Sequence, residues 1–334
     1  MGRSGAGGGG VSGAVGAGGS AGKVSGGGRA DAGANGGDAG GPLQSGAGGK
    51  AGSNARGAGG SSGGAVHAGA GGTEGNAGHT SAGGAAASAG AAGEGGEASV
   101  CKRGIAANVA PGAPFSPGVG WWYNWSMTGG GSVEFVPMMW GKDSVSASIP
   151  AGADFLLTFN EPNFHAQSNL SAQAAADLWP QVEGKAKAAG IPIVSPAMNF
   201  CGPASDCNGT DPYQYLKDFF AACSSCEVDY VAVHWYNCDL PSLKDYLEPG
   251  GSLEGFEQFE KPIWLTEFSC DGSASAADQE AYMRAAVPYL EANPHVFRYS
   301  WFSADPIPNA KLVADDGSPT ALGQVYLGLA GSCH

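Results

Sequence analysis

The sequence has 334 residues, 60 of them glycine, and a formal net charge of −14. Residues 1–98 carry five basic and five acidic side chains, so the whole acidic excess belongs to residues 99–334. Such a surface would repel nucleic-acid phosphates, which excludes that class of partner, and no stretch reaches transmembrane length.

Residues 1–98 are nearly all Gly, Ala, Ser and Asn, with no Trp, Tyr or Phe. They cannot bury enough apolar area to offset the entropy of ordering the backbone, and their spacing lacks a strict repeat. The expectation is a long disordered linker over 1–98. The opening "MGRSGAGGGG" contains no apolar core of a signal peptide. Residues 99–334 form the expected folded domain, which holds all eight Trp and all eight Cys. That many cysteines point to disulfides and an oxidising compartment, hence to a secreted or cell-surface protein. Cys101 can pair with Cys333 across the ends of the domain, and Cys201 with Cys207 across a short loop. A zinc site is the rival reading of "CSSC" (Cys223 to Cys226), but no second CxxC or His pair stands at ligand spacing.

Eight short apolar runs occur in order: "RGIAAN", "GVGWWYNW", "VEFVPMMW", "DFLLTFNEP", "PIVSPAMN", "VDYVAVHWY", "PIWLTEF" and "FRYSWF". Most are separated by helical stretches such as "SAQAAADLWPQVEGKAKAAG", with Ser171 as an N-cap and Gly190 as a C-cap. The link between the second and third runs is too short for a helix. Continuous apolar strands alternating with helices predict an α/β fold with a parallel sheet, and eight runs predict a (β/α)8 TIM barrel. An open doubly wound sheet is the alternative, without its Gly-rich phosphate fingerprint. Acidic residues stand before strands (Glu134, Asp154, Asp229) and read as solvation and helix contacts at the lower face. Polar and aromatic residues stand at the far ends: Asn124, Trp125, Trp140, Asn160, Glu161, Asn199, His234, Trp235, Tyr236, Glu267 and Trp301. Those ends converge on the mouth of a barrel, where catalytic groups sit.

Glu161 ends the fourth run and Glu267 the seventh. Two carboxyl groups flanking one bond are what glycoside hydrolysis requires, about 5–5.5 Å apart in retaining enzymes and about 6.5–9.5 Å in inverting ones. Glu161 is expected as acid/base and Glu267 as nucleophile, the latter supported by donors on His234 and Tyr236. The Asn160 amide suits a sugar 2-hydroxyl. Trp125, Trp140, Trp235 and Trp301 are expected to stack on sugar rings, with Asn124 and Asn199 nearby, whereas Trp179 and Trp264 are expected to pack, with Trp121 or Trp122.

The series "KRGIAAN", "FVPMMWG", "LLTFNEPN", "VSPAM", "VAVHWY", "WLTEFSC", "RYSWFS" and "DDGSPTALGQVYLG" resembles glycoside hydrolase family 128 over about residues 101–331. The resemblance implies a retaining endo-type β-1,3-glucanase with its acid/base at Glu161 and its nucleophile at Glu267. It implies a β-glucan polysaccharide or oligosaccharide as partner, and this chemistry needs no metal or organic cofactor. A monomer is expected. A non-catalytic glucan-binding protein on the same barrel, or a hydrolase of another β-glycan, remains the alternative.

Overall fold

The computed structural model describes residues 101–202, 207–208, 210–331 and 333. The linker expected over 1–98 lies outside the described residues. Nine strands are present among them: β1 (Arg103–Ala107), β2 (Trp121–Tyr123), β3 (Glu134–Phe135), β4 (Met138–Met139), β5 (Leu156–Asn160), β6 (Ile193–Asn199), β7 (Tyr230–Trp235), β8 (Ile263–Phe268) and β9 (Val296–Ser303). They form one curled sheet in the order β3-β2-β1-β9-β8-β7-β6-β5-β4, with every ladder parallel.

The third predicted run is split into β3 and β4 around Pro137, which has no N–H to give to a ladder. The segment still bonds on both sides: Val136 N donates to Trp122 O at 3.0 Å and Leu157 N donates to Pro137 O at 3.0 Å.

Helices α1 (Ala172–Ala189), α2 (Pro212–Ala222), α3 (Leu240–Leu247), α4 (Ala276–Ala292) and α5 (Ala321–Gly328) come after β5 to β9 in turn. Each opens on a side-chain cap: Ser171, Asp211, Asp239, Ser275 and Thr320 accept backbone N–H groups that the first turn leaves unpaired. Gly190 closes α1 at φ 70°, a left-handed position where a side chain would be strained.

The alternation of side chains along the strands sorts the core into two layers. One lies between sheet and helices, where Ile105, Val231, Val233, Leu265 and Trp301 meet Trp179, Phe219, Leu243 and Val287. The other is built from the inner faces of the strands, with Ala106, Trp121, Tyr123, Leu157, Val194, Ala232 and Trp264. Trp179 and Trp264 are thus packing residues in different layers.

The lower interior is closed by a charge. Arg298 is 5% exposed, and its guanidinium lies 4.5 Å from the Phe155 ring centroid and 5.0 Å from that of Trp264. Its Nη1 and Nη2 donate to both oxygens of Glu134 at 2.8 and 2.9 Å. Glu134 is therefore held by a guanidinium from another strand rather than by a helix, which corrects part of its sequence reading. Asp229 accepts from Ile193 N at 2.7 Å, and Asp154 is exposed. A second buried guanidinium, Arg103, donates to the carbonyls of Tyr326, Leu329 and Ala330, each at 2.9 Å, and fastens the tail after α5 to β1.

Eight cysteines form four disulfides: Cys101–Cys333, Cys201–Cys207, Cys223–Cys226 and Cys238–Cys270. The two proposed pairs are present, and "CSSC" is a disulfide rather than half of a zinc site.

Removing one partner of a buried ion pair leaves the other uncompensated, which costs about 3–5 kcal/mol. Glu134 keeps some solvent contact, so Arg298→Met should lower the free energy of unfolding toward the bottom of that range. Guanidinium denaturation followed by tryptophan fluorescence measures it.

Candidate active site

Three neighbouring strands and the end of a fourth bring the chemistry together. Asn199 on β6 pairs with His234 on β7, and His234 pairs with Glu267 on β8. Glu161 directly succeeds the last residue of β5, and its N–H bonds to Ala197 O of β6 at 2.9 Å. All of these side chains are buried: Glu161 is 5% exposed, Glu267 3% and His234 0%.

Oxygens of Glu161 and Glu267 lie within 4.8 Å of each other, with the His234 imidazole among them. His234 Nδ1 is 2.7 Å from Glu161 Oε1 and 3.4 Å from Glu267 Oε2. Asn199 Nδ2 also donates to Glu161 Oε1, at 2.9 Å. Glu267 is ringed by neutral donors. Tyr123 Oη donates to its Oε1 at 2.9 Å, Trp125 Nε1 donates to the same oxygen at 2.7 Å, and the Tyr236 hydroxyl donates to Oε2. The three donor atoms of Glu161, His234 and Glu267 are close enough to touch a single cation. All three are already engaged in this hydrogen-bonded cluster, and the set suits proton transfer.

The electrostatics arise from burial and proximity. Burial raises the Glu161 pKa and the charge of Glu267 adds to the rise, while the donors His234 and Asn199 restrain it. Burial pushes the Tyr236 and Tyr123 phenols well above 10, and Glu267 pushes further, so both keep their protons and donate. For His234 burial works against the charged form, but Glu267 and Glu161 together outweigh it and raise the pKa.

The backbone is forced as well. Trp125 and Glu161 have φ of 60° and 39°, left-handed values that bulky residues avoid. Each costs on the order of 1–3 kcal/mol, and such strain concentrates at functional sites.

Several expected residues are here, others elsewhere. Asn160 is buried beside Glu161; its Nδ2 donates to Gln167 Oε1 at 3.1 Å, and its Oδ1 is buried without a partner. Trp140, half-buried, ends the strand segment next to β5, where its carbonyl accepts from Asn160 N at 2.8 Å. Asn124 turns to the Thr128 carbonyl at 3.0 Å and does not meet the carboxylates.

Two tryptophans contradict the stacking expectation. Trp301 is 0% exposed, with Nε1 on Ala310 O at 2.8 Å and its ring 5.0 Å from Phe268. Trp235 is 3% exposed and packs on Tyr246 and Phe200 with centroids 4.8 and 5.5 Å away. Both point to the helix-side layer because they sit on the outward phase of their strands.

Sequence reasoning missed Tyr123 and Asn163. Tyr123 stands two residues after the inward Trp121, so alternation alone places it on the same face. Asn163 is fully buried; its Nδ2 donates to Asn199 O at 2.8 Å and so braces the donor to Glu161. The Cys238–Cys270 disulfide joins the segments that leave Tyr236 and Glu267, and Gln279 of α4 bonds both Cys270 N (3.0 Å) and Cys270 O (3.2 Å). Two outer cavities of about 570 and 520 Å³ are lined by other residues, Tyr282 and Asp271 in one and Tyr215 and Asn208 in the other.

Residues 107–326 match the family described as "Glycosyl hydrolase catalytic core". A curated relative, alkali-sensitive linkage protein 1 of Schizosaccharomyces pombe, is 31% identical over 228 residues. That match covers 63% of this chain and 40% of the relative, so the chain spans well under half of that protein. Among solved structures, a family 128 (subgroup II) endo-β-1,3-glucanase from Sorangium cellulosum is 42% identical with a TM-score of 0.60, covering 69% of this chain and 99% of that one. A subgroup I endo-β-1,3-glucanase from Amycolatopsis mediterranei, in complex with laminarihexaose, is 30% identical with a TM-score of 0.56, covering 69% and 100%.

The hydrogen bond from Asn199 favours the ionised form of Glu161. Asn199→Ala should therefore move the titration midpoint of Glu161 further upward, read from the 13C shift of its carboxyl carbon against pH.

Proposed function

The chain belongs to glycoside hydrolase family 128, within the glycosyl hydrolase catalytic core, and from that premise we propose that it hydrolyses β-1,3-glucan internally, with retention, by double displacement. The observation that carries the mechanism is the approach of Glu161 and Glu267 within 4.8 Å. That approach favours the closer spacing of retaining enzymes, about 5–5.5 Å, over the about 6.5–9.5 Å at which an inverting pair holds a water.

In the first step Glu267 attacks the anomeric carbon while Glu161 passes its proton to the departing glucan oxygen. In the second, Glu161 takes a proton from the water that displaces Glu267. Burial keeps Glu161 protonated at higher pH than an exposed carboxyl, as an acid requires. The donors Tyr123, Trp125 and Tyr236 suit the negative charge that a nucleophile carries. The buried, unpartnered Oδ1 of Asn160 supports a role in accepting a sugar hydroxyl. Trp125 and Trp140, half-buried at strand ends, remain the stacking surfaces of this reading.

The curled sheet reads as a closed (β/α)8 barrel. This is supported by the short link from β3 to β4, the two ends of the sheet order, and by the bonds of that segment to β2 and β5. Four disulfides support secretion or display at a cell surface. The composition of residues 1–98 supports a spacer between the hydrolase and an attachment point. Every group invoked lies in one chain, so a monomer suffices.

Reducing ends released from laminarin, with the first anomer recorded by NMR, test the reading: the β-anomer of an oligosaccharide mixture is expected. Binding without release would replace it with a glucan-binding role. Glu267→Gln should bring turnover to background while oligosaccharide binding persists. Glu161→Gln should lose about 10²–10⁴-fold on laminarin, with far smaller losses on aryl glycosides whose phenol leaves without a proton.

A further inference from the structure

The geometry points to His234 as the positioning residue that fixes which oxygen of Glu161 carries the transferable proton and that couples this acid to the charge on Glu267. The inference rests on the acid and nucleophile roles proposed for the two glutamates.

Glu161 Oε1 faces two nitrogens, His234 Nδ1 at 2.7 Å and Asn199 Nδ2 at 2.9 Å. A protonated carboxyl has one hydroxyl and one carbonyl oxygen, and the oxygen that accepts two N–H groups is the carbonyl. The proton then sits on Oε2. His234 Nδ1 in turn faces two carboxyl oxygens, on Glu161 and Glu267. A bare lone pair on Nδ1 could accept a hydroxyl on Oε1 but would face Glu267 Oε2 lone pair to lone pair, whereas an Nδ1 hydrogen is attracted by both oxygens; we therefore assign the hydrogen to Nδ1. Nε2, buried and unpartnered, offers no better place for a sole proton.

The groups that face this imidazole are Glu161 at the end of β5, Asn199 on β6 and Glu267 on β8, with the phenols of Tyr123 and Tyr236 on Glu267. In the first step the Oε2 proton goes to the glycosidic oxygen, the bond from that oxygen to the anomeric carbon breaks, and a bond from the carbon to Glu267 forms. Glu267 thereby loses its charge and its pull on the Nδ1 hydrogen. That hydrogen now serves Glu161 alone, at the moment when Glu161 is ionised and must accept a proton from water. As the water oxygen bonds to the carbon and Glu267 leaves, Oε2 recovers its proton and the shared state returns. His234 keeps its own proton throughout.

The test compares His234→Asn, whose amide N–H falls near Nδ1, with His234→Gln, whose amide falls near Nε2, and His234→Leu, which has no donor. Gln and Leu should lower kcat on laminarin about 100-fold with KM changed less than about threefold, the lower end of what a positioned acid contributes. Loss of a donor that favours the Glu161 carboxylate should shift the basic limb of kcat/KM to higher pH, and Asn should restore most of both effects. Asn behaving no better than Gln, or a basic limb that stays in place in Gln, overturns the inference; these two variants decide even if Leu does not fold. If the unaltered protein releases nothing from β-1,3-glucan, the functional reading fails by itself. The 13C titration of Glu161 then decides the inference, which requires a higher midpoint in Gln than in Asn.

Discussion

Two carboxyl groups held within 4.8 Å of each other and out of water are the constraint around which this molecule is arranged. Were both ionised, their repulsion would be roughly 3–4 kcal/mol at an effective dielectric constant of about 20. That is a large part of the net stability of an ordinary domain. The sheet meets this load by geometry: parallel strands end at the same edge, so β5, β7 and β8 deliver Glu161, His234 and Glu267 to one place. Burial raises the Glu161 pKa, which disfavours two charges side by side, and His234 Nδ1 lies between the two groups. Tyr123, Trp125 and Tyr236 donate to the Glu267 oxygens, where negative charge is best met.

The support extends below and behind the site. Arg298, fixed by Glu134 and set against aromatic rings, closes the lower interior, so the strands that carry the carboxylates converge on a packed plug. Behind Glu267, the Cys238–Cys270 disulfide and the Gln279 amide fix the chain as it leaves β8. Behind Glu161, Asn163 braces Asn199, and the Asn163 carbonyl accepts from the N–H of Asn208, next to the disulfide-bonded Cys207, at 2.9 Å. Both catalytic candidates are thus backed by buried amides, which specify direction as no apolar contact can.

Much of this is legible in the residues. Apolar runs with acidic or amide ends mark the strands, Ser171 and Gly190 mark α1, and the two glutamates stand out as charges where a core strand should stop. The aromatic residues are less legible because apolar runs buried on both faces conceal the phase of each strand. One anchor restores it. If His234 points inward, Trp235 must point outward, and the pair could not both line a cleft. The same rule places Trp301 outward, since Tyr299 two residues before it belongs to the helix-side layer.

Phase also explains what alternation could not have found. On β8, Trp264 faces the interior, so strict period-two counting sends Thr266 inward and Glu267 outward. The ladder between β7 and β8 shows why it fails: Val233 pairs with Leu265, but His234 pairs with Glu267, so β8 carries one extra residue there. A bulge of this kind bends and twists the strand beyond it and re-aims a side chain. On β5, Leu157 belongs to the inner layer and Phe159, two residues on, to the outer one, with register shifts against β6 on both sides of Thr158. Each of the two glutamates therefore comes just after a break in the pleat, and Glu161 adds a left-handed φ to complete its turn. A strand in perfect register would hold its acid out of reach of the other. The irregularities are the means by which a regular sheet brings two charges face to face.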